Sequence, residues 1–300
     1  MLIQEIPKIS IVTPSYNQAN FLEATIQSVL SQNYRNLEYI IIDGGSTDGS
    51  LEIIKKYEKY LHFWCSEPDK GQYDAINKGF KHSTGEIMAW INSDDMYCPW
   101  VFKTVADVIS ELPEVEWLTT LRMGLWDWHG FCIGFFPLPG YAKAAFLDGY
   151  YLPKKRNIGV WIQQESTFWR RSLWEKAGSF ICQDFKLAGD FELWSRFFIH
   201  TELYGVDSPL AGFRVQSKQK SRQIDAYFHE AEQILSSTRE SLTYSNVSWL
   251  KNICLQLSLH RIPKVEKAVA SLVGYDGKKI VRRNQDTASG FWQIQEYKFL

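Results

Sequence analysis

A chain of 300 residues can bury a large core, as one big α/β domain or two modest ones. Its 33 basic and 34 acidic side chains leave a net charge of −1, which argues against a dedicated nucleic-acid binder, because phosphate contacts need a basic surface. The five cysteines (Cys65, Cys98, Cys132, Cys182, Cys254) form no CxxC pair, so they read as reduced, mostly buried thiols. No basic-then-apolar leader is seen, and no apolar run reaches the roughly 18 residues of a membrane span. The expected location is cytoplasmic. Twelve tryptophans offer flat faces suited to sugar rings, but core packing is the commoner use of any one of them.

In chain order, "KISIVTP" reads as a β-branched strand, and "NFLEATIQSVLSQ" places Phe21, Leu22, Ile26, Val29 and Leu30 on one helical face. "LEYIIID" is a second buried strand, and "GGSTDGS" a tight turn whose Ser46, Thr47 or Asp48 caps the helix "LEIIKKYEKY". "HFWCSE" is a third strand, "GQYDAINKGFKHS" a short helix, and "EIMAWIN" a fourth strand, apolar enough to be buried on both faces. Repeated strand–helix–strand order predicts a mostly parallel, Rossmann-like sheet whose ligands bind beyond the carboxyl ends of its strands. Past residue 99 come the helix "VFKTVADVISEL", the extended "EVEWLTT" and a Gly-, Pro- and aromatic-rich run expected to form hairpins or a lid. "IQQESTFWRR" reads as a strand, "RSLWEKAG" and "GDFELWSRFFIH" as helices, and "LYGVDSPLAGFRV" as two short strands. Residues 1–220 are expected to form the main domain, about 1–98 and 99–220 being its halves, and 221–300 an appended helical extension.

The strand "EIMAWIN" ends in adjacent carboxylates, Asp94 and Asp95. Paired acids repel and cost desolvation unless something positive lies between them. A hard cation such as Mg²⁺ or Mn²⁺, completed by substrate phosphate oxygens, would meet that need. The structural alternative is a turn or cap ahead of the helix after Pro99.

The stretches "ISIVTPSYNQANFLEATIQSVLSQNYRNLEYIIIDGGSTDGS" and "SEPDKGQYDAINKGFKHSTGEIMAWINSDD" together resemble the nucleotide-sugar-binding half of family 2 glycosyltransferases, which have the GT-A fold. The resemblance is dense over about 8–100 and sparser to about 220, through "QESTFWRRSLWEKAG", "GDFELWSRF" and "LAGFRV". It implies that Thr13, Pro14, Ser15 and Tyr16 line the nucleobase and ribose, and that Asp43 helps hold the nucleotide. Gly44 stands where the family has a second acid; the alternative for Gly44 and Gly45 is a turn that needs positive φ. Asp69, Lys70 and Asp74 are implied to approach the ribose or diphosphate, and Arg214 to lie near the diphosphate. In the D-x-D-like motif Asn92 replaces the first acid, Asp94 is the implied metal ligand and Asp95 the second candidate. Asp190 matches the catalytic base, with Gly189 in place of its acidic neighbour, a change expected to lower the base's pKa. Gln164, Glu165 and Trp194 are implied on the acceptor side, and Gln216 stands where relatives often carry a histidine.

The function implied is inverting, metal-dependent transfer of a sugar from a nucleotide-diphosphate donor, commonly a UDP-sugar. The acceptor would be a glycan or lipid-linked hydroxyl in cell-surface polysaccharide biosynthesis. A sugar-nucleotide-binding or scaffold protein that has lost catalysis is the competing reading, motivated by Gly44, Asn92 and Gly189. A nucleotidyltransferase or dinucleotide-dependent oxidoreductase is disfavoured because the first strand leads into "TPSYNQ", with neither GxGTRxxP nor GxGxxG. "LPKKRN" and "KKIVRR" are candidate contacts for anionic lipid at the inner face of a membrane, or simply solvated faces.

Overall fold

The computed structural model describes residues 6–152, 160–216, 223–244, 253, 254, 257, 265–282 and 292–300. β1 (Ile9–Ser15), α1 (Ala19–Leu30), β2 (Leu37–Asp43), α2 (Ser50–Tyr57), β3 (Phe63–Ser66), α3 (Gln72–Lys81) and β4 (Ile87–Trp90) follow the expected alternation. β1 pairs in parallel with both β2 and β4, and β2 in parallel with β3. The chain therefore steps outward from β1 to β3 and returns to the other side of β1. That reversal is the switch point at which open α/β sheets hold ligands.

The second half adds β5 (Met96–Tyr97), α4 (Val101–Glu111), β6 (Trp117–Thr120), β7 (Arg122–Trp126), β8 (Cys132–Pro137) and α5 (Lys143–Leu147). A 3-10 turn (Gln164–Ser166), β9 (Phe168–Arg170), α6 (Arg171–Lys176), α7 (Gly189–His200), β10 (Tyr204–Val206) and β11 (Ala211–Arg214) follow. Only three residues of "IQQESTFWRR" are strand, since the 3-10 turn lifts Gln164 and Glu165 out of the sheet. The described strands form a nine-stranded sheet, β13-β12-β10-β6-β9-β4-β1-β2-β3, and a smaller one, β5-β11-β7-β8.

Successive residues of a strand face opposite sides, and each side of the large sheet has its own core. Val12, Ile40, Ile42, Met88 and Trp90 pack with side chains of α3, α6 and α7; Ile11, Tyr39, Ile41 and Ala89 pack with α1 and α4. Helices thus cover both faces, which is why the central strands read as continuous apolar runs.

Beyond residue 221 the expected helical content is present as α8 (Ile224–Ser241) and α9 (Glu266–Val273). The sequence reading lacked the hairpin of β12 (Tyr275–Arg282) and β13 (Trp292–Phe299), which extends the large sheet by parallel pairing of β12 with β10. The run "KKIVRR" belongs to this hairpin up to Arg282, and its charges hid the strand's alternation. Lys278 lies over the Tyr204 ring and Lys279 over the Tyr297 ring, so the two neighbouring charges take opposite sides of β12 instead of making one basic face. Of "LPKKRN", all but Leu152 lies outside the described residues. The cysteines are free, but only Cys98 is buried and Cys132 is exposed. Among the described residues no helix is long and apolar enough to cross a membrane.

Candidate active site

A cleft of about 760 Å³ opens beyond the carboxyl ends of β1, β2 and β4. Pro14, Ser15 and Tyr16 form one wall, Asn92 and Asp94 the floor, and Gln164, Glu165 and Asp190 the facing side. The Ser15 hydroxyl is buried and has no hydrogen-bond partner among the described residues, as expected of a group kept for a ligand. Gly44 borders the same wall. Its φ is ordinary; the positive φ belongs to Gly45, at 81°. A Cβ on Gly44 would come within 2.8 Å of Asp69 Oδ2 and 3.2 Å of the Tyr16 ring, so the missing acid leaves room for the Asp69 carboxylate.

The "INSDD" segment splits its polar groups between cleft and interior. Asn92 accepts from Gln72 Nε2 at 2.7 Å and donates to Gln164 Oε1 at 3.0 Å and Asp95 Oδ2 at 3.2 Å, so it knits the floor to both sides. Asp94 lines the cleft and accepts a hydrogen bond from Gln216. Burial raises its pKa, partly offset by that bond and by the charge of Arg214. Asp95 is turned inward, 1% exposed, with Oδ1 taken by the backbone N–H of Arg214 and Oδ2 by Asn92. Burial and the charges of Asp94 and Glu165 push its pKa well up. The expectation that Asp95 reaches a metal is corrected accordingly: Asn92, Ser93 and Asp94 line the cleft, whereas the Asp95 carboxylate points into the interior with both oxygens already bonded.

Asp190 lines the opposite side from the first turn of α7, where its Oδ1 accepts the Phe191 N–H at 2.8 Å. Its pKa is raised to about 6 by burial, offset in part by the Phe191 bond, with Glu230 adding repulsion. The expected lowering through loss of the acid at 189 is thus outweighed by desolvation. Gly189 itself has a steric cause, since a Cβ there would meet the Tyr73 ring at 2.6 Å. The Tyr73 hydroxyl donates to Leu187 O and accepts from Gly189 N. Glu165 is pushed to about 7 by burial and by the charges of Asp94 and Asp190.

Several residues expected at the ligand stand behind it. Thr13 is fully buried against the Tyr39 hydroxyl. Asp43 spends both oxygens on its own turn, accepting from Gly45 N, Ser46 N, Ser46 Oγ and Ser66 Oγ. Asp74 accepts the Lys70 N–H and pairs with Lys78, while the Lys70 side chain is exposed away from the lining. Arg214 alternates away from its cleft-lining neighbour Phe213; it bonds Asp94 O at 2.6 Å and Trp128 O at 2.9 Å and lies over the Phe21 ring. It therefore fixes the β7–β8 hairpin tip to the floor instead of meeting the diphosphate. Trp194 stacks between Trp90 and Trp117 at 5.7 and 5.3 Å and belongs to the core, as its helical position among Phe191, Phe197 and Phe198 dictates.

Sequence reasoning missed Gln72, Lys186 and Tyr227 in the lining, and Glu230 just behind it. Tyr227 and Glu230 lie three residues apart on one face of α8. That spacing was the available signal, but it gave no hint of where α8 docks. Among the described lining residues four carboxylates, Asp69, Asp94, Glu165 and Asp190, face a single ammonium, Lys186. No group of three or more His, Cys, Asp or Glu side chains among the described residues is arranged to hold a metal by itself. A cation shared between Asp94 and phosphate oxygens nonetheless fits this donor set, because a diphosphate entering so acidic a cleft needs its charge neutralised.

The family model described as Glycosyl transferase family 2 matches residues 10–121. An uncharacterized glycosyltransferase of Mycobacterium tuberculosis is 29% identical over 228 residues, 74% of this chain and 80% of the relative. The putative teichuronic acid biosynthesis glycosyltransferase TuaG of Bacillus subtilis is 38% identical over 94 residues, 30% of this chain and 37% of TuaG. Among solved structures, S. aureus TarS 1-349 in complex with UDP-GlcNAc is similar with a TM-score of 0.55 and 18% identity, covering 89% of this chain and 84% of that one. This chain spans 45% of a longer TarS chain. A mannosyltransferase of Pyrobaculum calidifontis in complex with GDP-Man and Mn²⁺ is similar with a TM-score of 0.52 and 15% identity, covering 88% of this chain and 84% of its own. Family match, relatives and the α/β architecture agree: the chain has the GT-A fold, its residues 10–121 match the family 2 glycosyltransferase model, and over most of its length it is similar to glycosyltransferases.

Proposed function

We propose that this glycosyltransferase transfers a sugar, with inversion, from a nucleotide-diphosphate donor, first choice a UDP-sugar, to a hydroxyl of a cell-surface glycan or its lipid-linked precursor. The carrying observation is that Asp94, at the end of β4, and Asp190, at the start of α7, line one cleft at the switch point of the sheet. The first 98 residues supply the donor wall, and residues 99–220 with α8 the acceptor side. TarS bound to UDP-GlcNAc and the polysaccharide role in the TuaG description support the donor and acceptor classes.

Pro14, Ser15 and Tyr16 receive the nucleoside, with the exposed Tyr16 ring and Asp69 beside it. Asn92 and Gln72 hold the ribose and diphosphate end of the donor over the floor. Mn²⁺ or Mg²⁺ bound by Asp94 would supply Lewis-acid stabilisation of the departing diphosphate. Asp190 removes the proton of the acceptor hydroxyl as its oxygen bonds to the sugar's anomeric carbon and the bond to diphosphate breaks on the opposite face. An α-linked donor thereby yields a β-glycoside.

Incubation with a panel of UDP-, GDP- and TDP-sugars and Mn²⁺ is expected to show slow donor hydrolysis with one nucleotide class. Asp190→Asn should reduce it by about 10²–10⁴-fold. Calorimetric donor binding with no turnover across the panel would instead identify a binding protein.

A further inference from the structure

We infer that Glu230, on α8 and outside the family match, is a positioning residue of the transfer reaction, holding Asp190 in place through the backbone of residues 186–188. The inference rests on Asp190 as the base. Its Oε1 accepts the Lys186 N–H at 3.1 Å, and its Oε2 the Leu187 and Ala188 N–H groups, each at 2.9 Å. These are donors at the entry to α7, which would otherwise lack intrahelical partners. Ala188, at the helix N-cap, makes no side-chain cap of its own. Glu230 therefore caps α7 from another helix, and Tyr73 accepts the next N–H, that of Gly189, at 3.0 Å. Four consecutive backbone donors are thus fixed by two side chains from separate elements, one residue before Asp190.

The geometry also explains why α8 matters to the site. Tyr227, one turn before Glu230, lines the cleft, so docking α8 through Glu230 sets the cleft wall and the base together. Asp190 is faced by Glu165 from the 3-10 turn, by Tyr73 of α3, and by Tyr227 and Glu230 of α8, while Lys186 lines the same cleft from the preceding loop. Among the described residues the Glu230 carboxylate repels that of Asp190, which in turn acts on Glu165. Replacing Glu230 by an uncharged group should ease ionisation of Asp190 while loosening its placement.

The test uses the full chain labelled with ¹³C at the aspartate carboxyls, with the Asp190 signal assigned by its loss in Asp190→Asn. In Glu230→Gln the Asp190 titration midpoint is expected to fall by about half a pH unit or more. Turnover should fall about tenfold or more, with donor KM little changed, because misplacing a base slows the chemical step. Glu230→Asp, which keeps the charge on a shorter stem, should restore the midpoint but not the turnover. Thermal melts and UDP titration with Mn²⁺ establish that each variant is folded. An unchanged midpoint, or wild-type turnover in a folded Glu230→Gln protein, would overturn the inference. Full activity in Asp190→Asn would instead remove Asp190 as the base, and the ¹³C titration still reads the Glu230 contact in that case.

Discussion

Asp190 and Glu165 show how burial, more than sequence neighbours, sets the chemistry of single residues. With its pKa raised to about 6, Asp190 can fill the proposed role of base only when ionised, so on that proposal turnover should rise with pH through about 6 and level off above it. Glu165 behaves differently because its burial costs stability. Its carboxyl titrates near 7 when folded and at an ordinary low value when unfolded. The folded state then binds more protons between those values, so stability falls as pH rises from about 4.5 to 7 and stays reduced above. Glu165→Gln is expected to raise the melting temperature by several degrees at pH 8, a gain of about 1–3 kcal/mol, and to lose most of that advantage at pH 5. Equal gains at both pH values in differential scanning calorimetry would refute this account. Asp94 and Asp190, candidates from the motifs, both line the cleft. Which oxygens face the cleft was not legible in the sequence, because Asp95, Asp43 and Arg214 differ from their neighbours only in the direction the folded backbone gives them.

At the level of elements, α7 and α3 meet at a contact no linear pattern displays. Gly189 departs from the acid of the family pattern because the Tyr73 ring fills that space, and Tyr73 in turn holds the backbone at Leu187 O and at the glycine's own N–H. Gly189→Ala is expected to destabilise the chain by about 1–3 kcal/mol through overpacking, despite alanine's better helix propensity. Tyr73→Ala in the same chain should recover part of that loss, a coupling that a double-mutant cycle by urea denaturation measures. Strictly additive effects would mean that the ring and the glycine do not constrain one another. The strands and helices of the first hundred residues were readable because burial on both faces imposes long apolar runs. The 3-10 turn at Gln164–Ser166 was hidden, since its sequence also suits a strand and only the cleft geometry lifts it out.

On the scale of the whole molecule, the segment beyond 221 is part of the architecture. α8 adds Tyr227 to the cleft, and the β12–β13 hairpin widens the large sheet through β10. Ile280 is fully buried in the core shared with α1 and α4. Ile280→Ala should therefore cost about 2–5 kcal/mol and shift a single unfolding transition. Two separate transitions, with the cleft half unaffected, would show that the hairpin folds as an independent piece.

By itself the sequence determined the α/β class, the parallel strands around the switch point, and the presence of Asn92, Asp94 and Asp190 in family motifs. These properties follow from local periodicity and short-range spacing, which a chain carries whatever its tertiary contacts. The tertiary structure alone decided that Asp95 faces inward, that Trp194 is core, and that Tyr227 from a distant helix lines the cleft with Glu230 bonded behind it. The reason is physical: side-chain direction, burial and the electrostatics they create depend on what packs opposite each residue, and those partners lie far away along the chain.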